Sequence, residues 1–308
     1  MIDIPDPLPQ TPLSVRKRVG RFVWIYLCVP YLSVTLIFAL FQRRLLYHPT
    51  VAGSLTVSQL RLGDDFAKDV EIESTDGHVL HGWLIRSRLA GVTTGAAPLV
   101  IYFPGNAGNR YERIDDLREV AATGFDVLVF DYRGFGDSTG SPSEWALTSD
   151  ARQVWDFACE DLHYHPRQIV VFGESLGGAV ALSLWSAGAT EMPRPAAVIL
   201  NSTFASMPDV VAWHYPWFPF RYLLLDRWRS VDRISHVESP IIVFHGTADE
   251  MVPLSEGQKL TSHAAHARLI EVSGGEHNNI PMRQLRGELE GIHAAIHAPG
   301  PAVAPPDE

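Results

Sequence analysis

The sequence predicts an α/β chain: a mostly parallel central sheet with helices on both faces, preceded by one N-terminal transmembrane helix. Three observations carry this. Short, mostly apolar runs such as Leu99–Phe103, Phe125–Tyr132 and Gln168–Phe172 are the first, and the stretches of helical spacing that alternate with them are the second. Runs of that length without polar alternation are strands buried on both faces, and strands that alternate with helices build parallel sheets. The third observation is a 20-residue segment without a charge, Phe22–Phe41, ahead of all of them.

That segment, FVWIYLCVPYLSVTLIFALF, is broken only by Pro30, Ser33 and Thr35. At about 1.5 Å per residue it spans roughly 30 Å, the thickness of a bilayer core. It lacks the polar face of a soluble core helix. It runs into Gln42-Arg43-Arg44, a poor cleavage site for a signal peptide, so an uncleaved anchor is expected. Trp24 and Tyr26 lie near one end, where interfacial rings sit, whereas Tyr31 lies in the middle. Pro30 is expected to kink the helix, which membranes tolerate. Arg16, Lys17, Arg18 and Arg21 precede the segment, and Arg43 and Arg44 follow it. This bias leaves the N-terminus cytoplasmic and the following domain extracytoplasmic. Residues 1–21 are then a tail on the cytoplasmic side, and 299–308 a disordered C-terminal tail.

The catalytic domain is expected over 45–298. Val70–Ser74 and Val79–Arg86 read as two antiparallel strands turning at Asp76-Gly77. Leu99–Phe103 is a buried strand, and Arg110–Thr123 a helix stopped by Gly124. Phe125–Tyr132 is a strand, and Ser143–Cys159 a helix with Ser143 as N-cap. Gln168–Phe172 leads as a strand into helix Leu176–Ala187. Ala197–Asn201 and Ile241–His245 are strands, followed by helix Ser255–His263, strand Arg268–Val272 and a last helix, Met282–His297. A cap-like insertion occupies about 204–238, between two of these strands.

The net charge of −10 and the lack of a basic block outside the N-terminus argue against nucleic acid as a partner. The two cysteines, Cys28 and Cys159, make no disulfide framework, and no spacing of Cys or His suggests a metal. No cofactor is expected.

The chemistry centres on Gly173-Glu174-Ser175-Leu176-Gly177-Gly178, at the join of a strand and a helix. A parallel sheet presents its functional loops beyond the carboxyl ends of its strands. A sharp turn there strains the serine backbone and exposes its hydroxyl. Side chains two residues to either side would collide, so Gly173 and Gly177 relieve the crowding, and Gly178 lets the helix approach the sheet. The bland reading is a glycine-rich turn whose serine caps a helix. A serine nucleophile needs a base, and the base an orienting acid. Asp249 follows strand Ile241–His245, and His277 follows strand Arg268–Val272, so each sits past a strand end as Ser175 does. Glu250 is the alternative acid. His263, His266, His293 and His297 lie on or after helices; His236 has no motif around it; His245 is expected to support the acid's loop. For the oxyanion, two backbone N–H donors are expected, from Leu176 and from Asn106 in the loop Pro104–Gly108. Pro104 has no N–H to offer.

Together these stretches resemble the α/β-hydrolase superfamily. Those that carry the resemblance are Pro104–Asn109, Asp131–Ser138 with Gly140–Glu144, Gly173–Gly178, Asn201–Phe204, His245–Glu250 and Gly275–Asn278. Within the superfamily they are similar to a membrane-anchored branch that includes lysophosphatidylserine lipases and protein depalmitoylases. The resemblance implies the α/β-hydrolase fold and a Ser-Asp-His triad. Two positions depart from the branch's usual pattern: Pro104 replaces a histidine, and Asn279 an aspartate. Asp131 and Arg133 are read as braces for the loops around the site, and Ser143 with Glu144 as a helix start.

The insertion carries Trp213, Trp217 and Phe218 in an aromatic, proline-broken run. These residues are expected either to line an acyl-chain site or to touch the bilayer, with simple packing of a cap as the bland alternative. The expected activity is hydrolysis of a carboxylic ester or thioester, of a small molecule or a lipid acyl group. A peptidase using the same triad and a catalytically silent binding protein are the alternatives.

Overall fold

The computed structural model describes residues 15–59, 66–87, 97–186, 192, 194–280 and 282–298. The predicted C-terminal tail and residues 1–14 of the N-terminal one lie outside these.

Eight strands form one sheet: β1 (Ala67–Glu73), β2 (Val79–Ile85), β3 (Leu99–Phe103), β4 (Asp126–Phe130), β5 (Ile169–Glu174), β6 (Ala197–Asn201), β7 (Ile241–Gly246) and β8 (Ala267–Val272). Their order across the sheet is β8-β7-β6-β5-β3-β4-β2-β1. β2 runs antiparallel to both neighbours, and all other pairs are parallel. The apolar runs are explained by burial on both faces. Val170 and Phe172 of β5 pack with Tyr102, Ile199 and Phe244 on one face. Ile169 and Val171 pack with Ile101, Val198 and Val243 on the other. Each such side chain, fully removed from water, contributes about 1.5–3 kcal/mol.

The helices are α1 (Val15–Leu46), α2 (Ile114–Ala121), α3 (Glu144–Asp156), α4 (Leu176–Leu182), α5 (Met207–His214), α6 (Phe220–Leu223), α7 (Ser230–Ile234), α8 (Leu254–Ser262) and α9 (Met282–His297). Ser143 caps α3, its hydroxyl accepting from Ala146 N–H. The helix expected from Arg110 opens instead with a 3-10 turn, Arg110–Arg113, capped by Asn109.

α1 is long and apolar enough to cross a membrane, with a mean hydropathy of 2.1 over its most apolar window. It begins at Val15 and so takes up residues 15–21, which the sequence reading placed in a tail. No proline separates the basic turn from the apolar run, and the single Gly20 is tolerated, so the helix continues through both. Just before Pro30 it widens into a π turn, Trp24–Cys28. The missing proline N–H is absorbed by this local change in the hydrogen-bond ladder.

The far end of α1 belongs to the folded domain. Gln42 and Tyr47 are buried. Beyond the helix, His48–Pro49 pairs in parallel with Ala107–Gly108.

Candidate active site

The register of the sheet brings the site together. Glu174 of β5 lies beside Asn201 of β6, and Val272 of β8 beside Gly246 of β7. The chain segments that follow these strands therefore emerge along one edge. Ser175, Asp249 and His277 all stand there.

Ser175 has φ 51° and ψ −115°, a strained conformation for a residue with a side chain. Its N–H donates to Asn201 O at 2.8 Å, and its own carbonyl accepts from Thr203 Oγ1 at 2.7 Å. Ser202 N–H donates to Phe244 O, so the turn after β6 is pinned in the same way. The strained serine is over-determined by its neighbours. A Cβ on Gly173 would run into Gly177 O and the Gly178 backbone, and one on Gly177 into the carbonyls of Phe103 and Pro104. Thr203 and Asn201 had no assigned part in the sequence reading, although Asn201–Phe204 stood among the motifs.

His277 Nδ1 lies 2.7 Å from Asp249 Oδ2, and its Nε2 lies 2.9 Å from Ser175 Oγ. A carboxylate only accepts, so Nδ1 carries the proton and donates. Nε2 is then bare and accepts the serine O–H. Asp249 is buried, and its other oxygen accepts from Met251 N–H at 2.9 Å and Val252 N–H at 2.8 Å. Three donors fix the carboxylate in orientation. This arrangement can draw a proton from the hydroxyl and stabilise the imidazolium that results.

The rivals are placed elsewhere. Glu250 is exposed, on the rim of an open depression of about 440 Å³ that also includes Met251, Glu276 and His277. His245 is fully buried, and its Nε2–H donates to Val252 O at 2.9 Å. Burial pushes its pKa below the ordinary histidine value. It fixes the loop of Asp249 from beneath. His263, His293 and His297 lie on or beside α8 and α9, away from Ser175; His263 Nδ1 and His297 Nδ1 bond backbone carbonyls of those helices.

The loop after β3 reaches over the serine: a Cβ on Gly105 would stand 3.8 Å from Ser175 Cβ. Asn106 follows directly. Its carbonyl accepts from His48 N–H at 2.8 Å, and its side-chain amide donates to Leu46 O at 2.7 Å. Both departures from the branch's pattern have a place in the fold. Pro104 O accepts from Tyr132 OH at 2.7 Å, and Asn279 Oδ1 accepts from Glu276 N–H at 2.6 Å, closing the turn that carries His277.

Behind that loop Arg110 is buried between Asp131 and Asp137 and donates to Leu55 O at 3.0 Å. Arg133 joins Asp150 to Asp76. Both arginines brace chain segments and neither touches the triad. Glu144 does more than start a helix. Its carboxylate accepts from Arg227 N–H at 2.6 Å and Trp228 N–H at 2.9 Å and pairs with Arg233, bolting the end of the insertion to α3.

The insertion folds as α5, α6 and α7. Phe218 stacks on Tyr31 of α1 and on Phe220. Trp213 is half exposed, and Trp217 is 86% exposed. Among the described residues the ring partners of Trp213 and Phe218 are His214, Tyr31 and Phe220, none of them in the triad. Near the acid, His214 Nε2–H donates to Met251 O at 2.9 Å. No group of His, Cys, Asp and Glu able to hold a metal occurs among the described residues.

Comparison with known proteins agrees with this architecture. A family model described as the alpha/beta hydrolase fold matches residues 98–231. The uncharacterized protein Rv2307c of Mycobacterium tuberculosis is 38% identical over 252 residues, covering 82% of this chain and 85% of that one. Lysophosphatidylserine lipase ABHD12 of Danio rerio is 32% identical over 188 residues, covering 56% of this chain and 49% of that one. Among solved structures, the esterase Pf2001 of Pyrococcus furiosus superimposes with a TM-score of 0.62 at 18% identity, over 82% of this chain and 98% of its own. The order of strands, the turn at Ser175 and these relatives lead to one assignment: the chain belongs to the α/β-hydrolase superfamily.

Proposed function

We infer that the chain is a membrane-anchored serine hydrolase that cleaves a carboxylic ester or thioester of a lipid acyl group. The observation that carries this is the hydrogen-bonded series Ser175–His277–Asp249 at the carboxyl edge of the sheet. Ser175 Oγ attacks the acyl carbonyl as its proton passes to His277 Nε2. The charge that develops on the carbonyl oxygen is met by the N–H groups of Leu176 and Asn106. Leu176 opens α4, so its N–H has no acceptor within the helix. His277 returns the proton to the leaving alcohol or thiol. Water, activated by the same imidazole, then releases the acid.

An acyl lipid is favoured as substrate by the apolar helix α1 joined to the domain and by the likeness to a lysophosphatidylserine lipase. The test is turnover by the full-length protein in detergent or vesicles. Substrates are p-nitrophenyl esters of rising chain length, monoacyl phospholipids, acyl thioesters and a short peptide amide, with labelling by a fluorophosphonate alongside. Serine-dependent turnover that favours long acyl chains is expected, with labelling lost in Ser175→Ala. Equal turnover by Ser175→Ala and the unaltered protein rejects the mechanism. Amide cleavage without ester preference replaces the substrate assignment with a peptidase.

A further inference from the structure

Resting on the reading of α1 as a membrane anchor, we propose that the tip of the insertion, residues 213–225, is immersed in the half of the bilayer on the catalytic domain's side.

The argument is one of depth. The insertion lies along α1 at several levels. Asp226 takes a bidentate pair from Arg43, at 2.9 and 3.0 Å. Gln42 bonds Leu223 O at 3.1 Å and Leu225 N–H at 2.7 Å. Phe38 stacks on Phe220 with ring centroids 4.0 Å apart. Lowest of all, Tyr31 stacks on Phe218 and donates its hydroxyl to Trp217 O at 3.1 Å. The charge-free run ends at Phe41. Tyr31 lies ten residues before it, about 15 Å along the helix. That is half of the roughly 30 Å hydrocarbon thickness. If Phe22–Phe41 crosses the bilayer, Trp217 and Phe218 cannot remain in water while they touch Tyr31. Tilt of the helix makes them shallower without lifting them clear.

The chemistry of the tip suits that position. Between Val210 and Leu225 the one ionic side chain is Arg221. It pairs with Asp209 at 3.2 Å and lies over the Tyr222 ring. Trp217, Tyr222 and Leu225 are 86%, 74% and 63% exposed, an outlay of apolar surface that water disfavours and lipid accepts. Irregular backbone at membrane depth needs its polar groups satisfied. In this turn Trp217 O is met by Tyr31, Phe218 N–H by Tyr215 O, and Tyr222 N–H by Pro219 O. The ionic groups Asp226, Arg227 and Arg229 return with Arg43 and Arg44, at the level where headgroups begin.

Depth is measured by nitroxide labelling of the full chain in phosphatidylcholine vesicles, with Cys28 and Cys159 replaced by serine. Three single-cysteine variants are compared: Trp217→Cys at the tip, Val34→Cys on α1, and Asp115→Cys on the exposed first turn of α2. Collision rates with oxygen and with a water-soluble nickel chelate report lipid or water around each label. Circular dichroism confirms that each variant is folded. The proposal expects the labels at 217 and 34 to be several-fold less accessible to nickel than the one at 115, and more accessible to oxygen. Water exposure at 217 with lipid exposure at 34 overturns the proposal and leaves the anchor standing. Water exposure at both overturns the anchor reading as well.

Discussion

The two sides of Ser175 are held in different ways. On the side of Asp249 and His277, adjacent strand ends fasten one another. Thr247 N–H donates to Val272 O, Ala248 N–H to Gly275 O, and Ser175 N–H to Asn201 O. On the side of the loop 104–109, the fastening comes from far away in the chain. Leu46 O and His48 N–H hold Asn106, and Thr50 N–H donates to Gly108 O. The segment that supplies these groups is the exit of α1, which is itself clamped to the insertion through Asp226. The hydrogen-bonded series Ser175–His277–Asp249 is a property of the sheet. The loop that faces it is a property of α1 and the insertion together.

The sharpest way to break this comparison is within the triad. Asp249→Asn keeps the fold but no longer enforces the imidazole tautomer, and kcat is expected to fall by about 10⁴-fold with an unchanged unfolding midpoint. Steady-state kinetics beside thermal unfolding checks both halves. On the opposite side the order reverses. Arg110→Ala leaves the buried carboxylate of Asp131 without its cation, and stability is expected to fall by about 3–5 kcal/mol in denaturant titration. The clamp is a milder case. Asp226 is buried, and Arg43 half exposed. Asp226→Ala is expected to cost about 1–3 kcal/mol, since Arg43 can return to water while Tyr47 OH loses its acceptor.

The smallest effect lies beneath the acid, in pH dependence. His245 is buried and neutral, with a pKa lowered by that burial, so between this value and the unfolded value near 6.5 the unfolded chain binds the extra proton. Stability contributed by the neutral ring is complete above pH 6.5 and is lost as pH falls through the window below it. Denaturant midpoints at pH 7.5 and 5.5 are expected to differ less in His245→Asn than in the unaltered protein. An identical difference in both proteins rejects the assignment of that slope to His245.

The same division explains what could be read from the chain alone. The strands were legible because burial on both faces demands unbroken Val, Ile, Leu and Phe runs. Ser175 and Asp249 were legible as candidates because each follows such a run within a few residues, and His277 because it follows the shorter, charge-interrupted strand Arg268–Val272. Nothing comparable marks the other side. Gln42 and Leu223 are separated by 181 positions, and Arg43 and Asp226 by 183. Pairs of that kind leave no period in the sequence. Glu144 read as a helix start because two of its partners, Arg227 and Trp228, bond through their backbone N–H groups, which every residue except proline possesses, and the third, Arg233, lies 89 positions away. The aromatic run 213–225 was visible as unusual, but its neighbour, Tyr31, was visible only as a ring out of place in a membrane segment.

The clamp between α1 and the insertion also decides where this chain can be cut. A soluble form begun at Leu45 would strip Asp226 of its guanidinium and leave the Leu225 N–H without Gln42 Oε1. Beginning at Gln42 retains both bonds, yet bares Phe220 where Phe38 had covered it. The stretch that can be exchanged for another helix therefore ends before Tyr31, and everything from there to Thr50 travels with the domain.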